Sequence, residues 1–170
     1  MAVPQRVKAS GAVAQSARYE GALPVSALPR LCAALVRDDE VVEVHLQVSR
    51  AMGRVALQGT LQGSLSLQCR RCDRTYAWPL HSSVDLRLVD SDDEERALLE
   101  SADPYRVEDD QLPLHEMIED EVLLALPMLP RCPTCETLVQ DLPAPQGADA
   151  VPEQRENPFA ALKGRFKQDQ

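Results

Sequence analysis

Four of the five cysteines in this 170-residue chain come as two C-x-x-C pairs, Cys69-Arg70-Arg71-Cys72 and Cys132-Pro133-Thr134-Cys135, while Cys32 stands alone. The spacing lets two thiolates reach one ion from a single turn. Two such pairs make a tetrahedron of four cysteine sulfurs, which suits Zn2+, a thiophilic ion with no geometric demand from its d electrons. A site of four cysteines is closed, with no position left for water, so the zinc expected here is structural rather than catalytic. A redox pair and free thiols are the alternatives. The pairs are far apart in sequence, so a shared metal would close a long loop and staple the fold. Cys32 falls on an apolar helical face and is read as a small core residue.

Arg70, Arg71 and Arg74 cluster around the first pair, with Tyr76 and Trp78 just beyond. Two readings stand side by side: a knuckle that contacts phosphates and bases of RNA, or a turn kept soluble by its charge. His115-Glu116-Met117-Ile118-Glu119 approaches H-E-x-x-H but ends in Glu119, so the zincin pair is absent and a solvated acidic helix face is expected. There is no phosphate-binding glycine loop, no nucleophile elbow and no recognisable base–nucleophile pair. No catalytic residue is assigned, and the chain is read as a non-enzyme.

The elements that must position these residues follow from periodicity. Residues 1–15 show no clear period and are expected to be loose or locally extended. A short strand is expected over 18–23, then a helix from an N-cap at Ser26 to about Val36, with Leu28, Leu31, Cys32 and Leu35 on one face. The middle is β. Val42, Val44, Leu46 and Val48 alternate with polar residues; Val55, Leu57, Leu61, Leu65 and Leu67 share one parity, with Gly59 and Gly63 on it as bend or bulge positions. Tyr76 to Leu88 makes a third run, with Pro79 marking a break or an edge. Three sequential antiparallel strands form a meander, and the first cysteine pair falls in the turn between the second and third. The acidic run 90–95 predicts a loop or helix start, and 105–107 a short strand. Leu114, Met117, Ile118, Val122 and Ala125 predict a helix over 114–126, ended by Pro127 and Pro130.

The fold class expected is therefore α+β: an antiparallel meander sheet with helices on one side, a four-cysteine zinc knuckle and a disordered C-terminal tail. Residues 1–142 form one domain, and 143–170 are a Pro-rich linker followed by a docking segment. In that segment Phe159, Leu162 and Phe166 stand at helical spacing beside Lys163, Arg165 and Lys167. Aromatic residues are 4% of the chain, too few for the stacking platforms of single-strand binders. Net charge is −9, which opposes non-specific nucleic-acid binding, but it is unevenly placed: residues 1–37 carry +4, 38–130 carry −12 and 131–170 carry −1. A polyanion must therefore meet a local basic patch. With no run of 18 apolar residues and no apolar leader segment, the expected location is the cytoplasm, with no membrane partner.

Three stretches together, LSLQCRRCDRTYAWPL, IEDEVLLALPMLP and NPFAALKGRFK, resemble the YceD family of bacterial large ribosomal RNA subunit accumulation proteins, in order and spacing, from about Arg18 to Lys167. Cys69 and Cys72 match its C-x-x-C; Glu119, Asp120, Glu121, Leu126 and Pro127 match its acidic helix and exit; Asn157, Pro158 and Phe159 match its tail. The second cysteine pair is where members of the family differ. The resemblance implies a role in synthesis, processing or stability of 23S rRNA and in large-subunit assembly. The partners implied are 23S rRNA or its precursor and a large-subunit ribosomal protein, with no small-molecule substrate. Two mechanisms follow: RNA contact through Arg70, Arg71 and Arg74 on a zinc-rigidified knuckle, or an acidic adaptor that holds a basic ribosomal protein. In either, Asn157, Pro158, Phe159, Leu162 and Phe166 would dock a partner.

Overall fold

The computed structural model describes residues 3–51 and 54–140. Five strands make the main sheet, in the order β2 (Arg18–Pro24), β3 (Val41–Ala51), β4 (Arg54–Gln68), β5 (Thr75–Val89) and β6 (Asp103–Arg106). All neighbours are antiparallel except β6, which runs parallel to β5. A small ribbon pairs β1 (Val7–Lys8) with β7 (Gln111–Leu112). The helices are α1 (Ala9–Ala14), α2 (Pro29–Ala34), α3 (Asp92–Leu98), α4 (Leu114–Ala125) and α5 (Pro133–Gln140). The class is the α+β arrangement that the alternation predicts.

Strict parity builds the core. Val44 lies opposite Leu61 and Val48 opposite Leu57, which in turn lies opposite Leu86. All are buried, so one face of the meander is aliphatic and the other polar. Two glycines interrupt the aliphatic face of β4. Gly59 lies opposite Leu46 and Val84, and Gly63 opposite Val42 and Leu80. A Cβ at Gly59 would run into the His45 carbonyl, so the two backbones can approach only because nothing is there. The larger neighbours close over the gaps, and α4 packs across β5 and α2 to cover this face.

Some local expectations hold and others are corrected. Residues 3–15 are not loose: Val7–Lys8 is extended in β1, one of the two readings, and His115 Nε2 lies 3.0 Å from the carbonyl of buried Val3. In α1, the Ser10 backbone N–H and hydroxyl both donate to Asp110. Ser26 does not cap a helix. It lies in a 3-10 turn at Val25–Ala27, and α2 starts at Pro29 without a local side-chain cap. Pro79 does not break β5; it pairs with Ser64, and β6 joins β5 only from Leu86 onward. The edge of β5 beside Pro79 is therefore open, and its missing N–H disrupts no ladder. The acidic run starts α3, where Ser91 accepts from the Glu94 N–H and four acidic residues fill the first turn, where the helix dipole favours them. Among the described residues, no helix is long and apolar enough to cross a membrane.

Candidate metal centre

The long β4–β5 hairpin carries the first cysteine pair at its tip. Gln68 pairs with Thr75, and the intervening turn is closed by the Cys69 N–H donating to the Arg74 carbonyl and the Asp73 N–H to the Cys69 carbonyl, at 2.9 and 3.0 Å. Asp73 takes a left-handed conformation there, φ 57°, which a short polar side chain tolerates. The second pair sits where the chain leaves α4 and begins α5, a helix the sequence did not announce. The Cys135 and Glu136 N–H groups both donate to the Cys132 carbonyl. The two segments are tied directly, because the Arg70 N–H donates to the Pro130 carbonyl at 2.8 Å.

This tie brings the four expected ligands together. Their Sγ atoms all lie within 4.8 Å of one another, and the Cys72 and Cys132 sulfurs are 3.7 Å apart. No disulfide links them. A Zn–S distance of ~2.3 Å sets a tetrahedral edge of about 3.8 Å, so the donor set fits one tetrahedral, thiophilic ion. Cys69, Cys132 and Cys135 are buried and Cys72 forms the exposed side. Tyr76 packs against the buried three. Cys32 lies apart from this group, packed against the main core, as its apolar helical face predicts.

The electrostatics suit a thiolate cluster. Backbone N–H groups at Cys132, Arg71 and Cys72 hold the Cys69 thiol down at about 6, against an opposing push from burial. Burial, followed by the crowd of neighbouring sulfurs, pushes Cys135 up to about 12. Four sulfurs at this separation cannot all ionise on their own. A divalent cation is what would let them.

Around the centre the arginines are segregated. Arg6, Arg30, Arg37, Arg54, Arg87, Arg96 and Arg106 each pair with a carboxylate. Among the described residues, Arg70, Arg71, Arg74 and Arg131 have no carboxylate within ion-pair distance, and Arg18 and Arg50 share that condition elsewhere. Arg131 was not singled out by the sequence, since it lies beyond the hairpin and joins the cluster only through the Arg70–Pro130 tie. Tyr76 and Trp78 are partly buried, the first over the cysteines and the second against the core. Both therefore face inward rather than offering open stacking surfaces.

The acidic helix also holds a surprise. Glu119 is not solvated; it is 3% exposed. Its carboxylate accepts from the Arg30 and Leu31 backbone N–H groups at 2.6 and 3.0 Å, and from Arg30 Nε at 2.8 Å. It thus caps α2 from another helix, satisfying donors that Pro29 at the first position leaves unserved. Asp120 completes the clamp on Arg30 at 2.6 Å. The spacing of His115 and Glu119 on one face has no metal consequence, because each is committed to a backbone partner. Asn157, Pro158, Phe159, Leu162 and Phe166 lie outside the described residues.

Comparison with known proteins agrees with the residues. The chain is similar to a large ribosomal RNA subunit accumulation protein YceD of Haemophilus influenzae, 28% identical over 152 residues that cover 85% of this chain and 84% of that protein. No solved structure matches. Residues 57–164, which include both cysteine pairs and helix α4, match the family described as large ribosomal RNA subunit accumulation protein YceD, and the chain belongs to that family.

Proposed function

We propose that this protein is a non-catalytic, cytoplasmic bacterial factor that supports accumulation of 23S rRNA and assembly of the large subunit, and that it contacts RNA through arginines on a zinc-rigidified knuckle. The observation that carries this is that Arg70, Arg71, Arg74 and Arg131 lie on the two segments tied at the cysteine cluster, none with a carboxylate partner among the described residues, in a chain of net charge −9. A steep local positive field is what a protein of net −9 needs to meet a polyanion. Membership of the large ribosomal RNA subunit accumulation family supplies the class of RNA. In this reading zinc bound by Cys69, Cys72, Cys132 and Cys135 supplies rigidity alone; the protein's own arginines do the binding. Residues 1–142 act as the folded unit. Asn157, Pro158, Phe159, Leu162 and Phe166, beyond the linker, dock a large-subunit protein.

A zinc ion with four thiolates carries a net charge of −2, so the arginines have a second duty in offsetting it. The two duties separate experimentally. Replacing Arg70, Arg71 and Arg74 together by Glu should abolish association with large-subunit rRNA fragments. Replacing them singly by Gln should shallow the salt dependence of binding by ~0.7–0.9 in log–log slope per phosphate contact removed. Zinc content of the Gln variants should remain about one per chain. Wild-type RNA affinity in the triple Glu variant, together with co-purification of a basic large-subunit protein after nuclease treatment, would replace RNA contact by the acidic adaptor.

A further inference from the structure

Beside the arginines lies the most exposed apolar surface of the described residues. Met128 is 98% exposed, Leu129 67% and Leu124 80%. Met128 and Leu129 stand between Pro127 and Pro130, on a segment pinned at one end by the Leu126 N–H donating to Val122 and Leu123 carbonyls. At the other end it is pinned by the Arg70–Pro130 hydrogen bond. The prolines restrict the backbone, so these side chains are held out rather than left loose. A fixed apolar projection in full solvent is unfavourable unless something covers it.

We infer that Met128 and Leu129 form the base-contacting part of the RNA surface, and that the RNA they meet is unpaired there: a loop, a bulge or a single strand. This rests on the RNA reading above. Charge decides the kind of occupant: Arg131 follows two residues after Leu129, and Arg70 is bonded to the residue in between. Arg70 and Arg131, which have no carboxylate partner among the described residues, thus lie on the backbone beside the apolar pair, which matches a phosphate chain running beside exposed base faces. An A-form duplex presents phosphates and hydroxyls, with its bases stacked away from an apolar tip. Tyr76 and Trp78 are turned inward, so Met128 and Leu129 are the side chains left to cover a base.

The test uses the full-length, zinc-loaded protein with two probes: a mixed-sequence RNA single strand, and the blunt duplex of that strand with its complement. Wild type should bind the single strand more tightly than the duplex. The double variant Met128→Ser, Leu129→Ser should lose most of that preference, bind duplex as wild type does, and keep its zinc and thermal midpoint, since both side chains are exposed. An unchanged preference in the double variant overturns the inference while leaving the arginine contact standing. Equal or tighter binding of duplex by wild type overturns it in the same way. If neither RNA is bound, RNA contact itself falls. Loss of a purified basic large-subunit protein by the double variant would then give the surface to a protein partner.

Discussion

Cys69→Ser should strip the protein of its metal and of the local structure at the hairpin tip. Cys69 is the most buried of the four cysteines, and backbone N–H groups hold its thiol down at about 6. Its loss removes a ligand and replaces the thiolate that the Arg71, Cys72 and Cys132 N–H groups face with a neutral, shorter hydroxyl. Structural zinc is worth ~10–16 kcal/mol in isolated finger peptides, but this chain keeps an aliphatic core of its own, so only part of that is expected. A fall of about 3–5 kcal/mol, or about 10 °C in Tm, is the expected result, with zinc by elemental analysis falling from about one per chain to near zero. Chelator should reproduce the loss in wild type and have no further effect on the variant. The hairpin tip and the start of α5 should gain hydrogen exchange, while the β3–β4 ladder stays protected. All thiols titrating freely in native wild type, with sub-stoichiometric metal, would contradict this.

The second large effect is expected at Glu119. Removing its carboxylate in Glu119→Ala leaves the Arg30 and Leu31 N–H groups without an acceptor at a buried helix start, a loss of about 2–4 kcal/mol. Its titration fixes the sign with pH. Burial raises the carboxyl's pKa, but the Leu31 N–H, the Arg30 side chain and the Arg30 N–H outweigh it, and the net shift is downward from the ordinary 4.5. A group with a lowered folded value stabilises fully above its unfolded pKa and loses that contribution as pH falls through the folded one. Wild type should therefore be steady down to about pH 4.5 and weaken below it, and Glu119→Gln should be less stable at neutral pH and flatter in acid. Asp39, Asp85 and Asp110 are also held low, by Arg37, Arg87 and Ser10 respectively, but all three are exposed to solvent and screened. A Gln variant with unchanged acid sensitivity would remove Glu119 from this role.

The meander was legible because a half-buried strand writes its register into the parity of its side chains. Val42 to Val48 and Leu57 to Leu65 need no tertiary knowledge to be placed on one face. The ends of the cysteine loop were legible for a different reason: thiolate spacing is set by the ion rather than by the fold. Glu119 was not legible, since a carboxylate on a helix with Glu116 and Asp120 gives no local sign that another helix will need it. The same holds for Ser26, a good cap by residue type that loses its place because a 3-10 turn intervenes and Glu119 supplies the acceptor. The apolar residues of the N-terminal segment follow no clear period, and the order of residues 3–15 comes from distant partners, Asp110 and His115. Arg131 and Met128 were hidden because they join the hairpin tip through one backbone hydrogen bond between residues sixty apart.

The most direct measurement is ultraviolet crosslinking of the protein on large-subunit precursor particles, followed by mass spectrometry of the peptides that retain RNA. RNA should be found on the peptides carrying Arg70 to Arg74 and Met128 to Arg131, and the crosslinks should disappear in the triple Glu variant. Crosslinks confined to other surfaces, or particles that hold the protein with no RNA on it, would contradict contact through the knuckle.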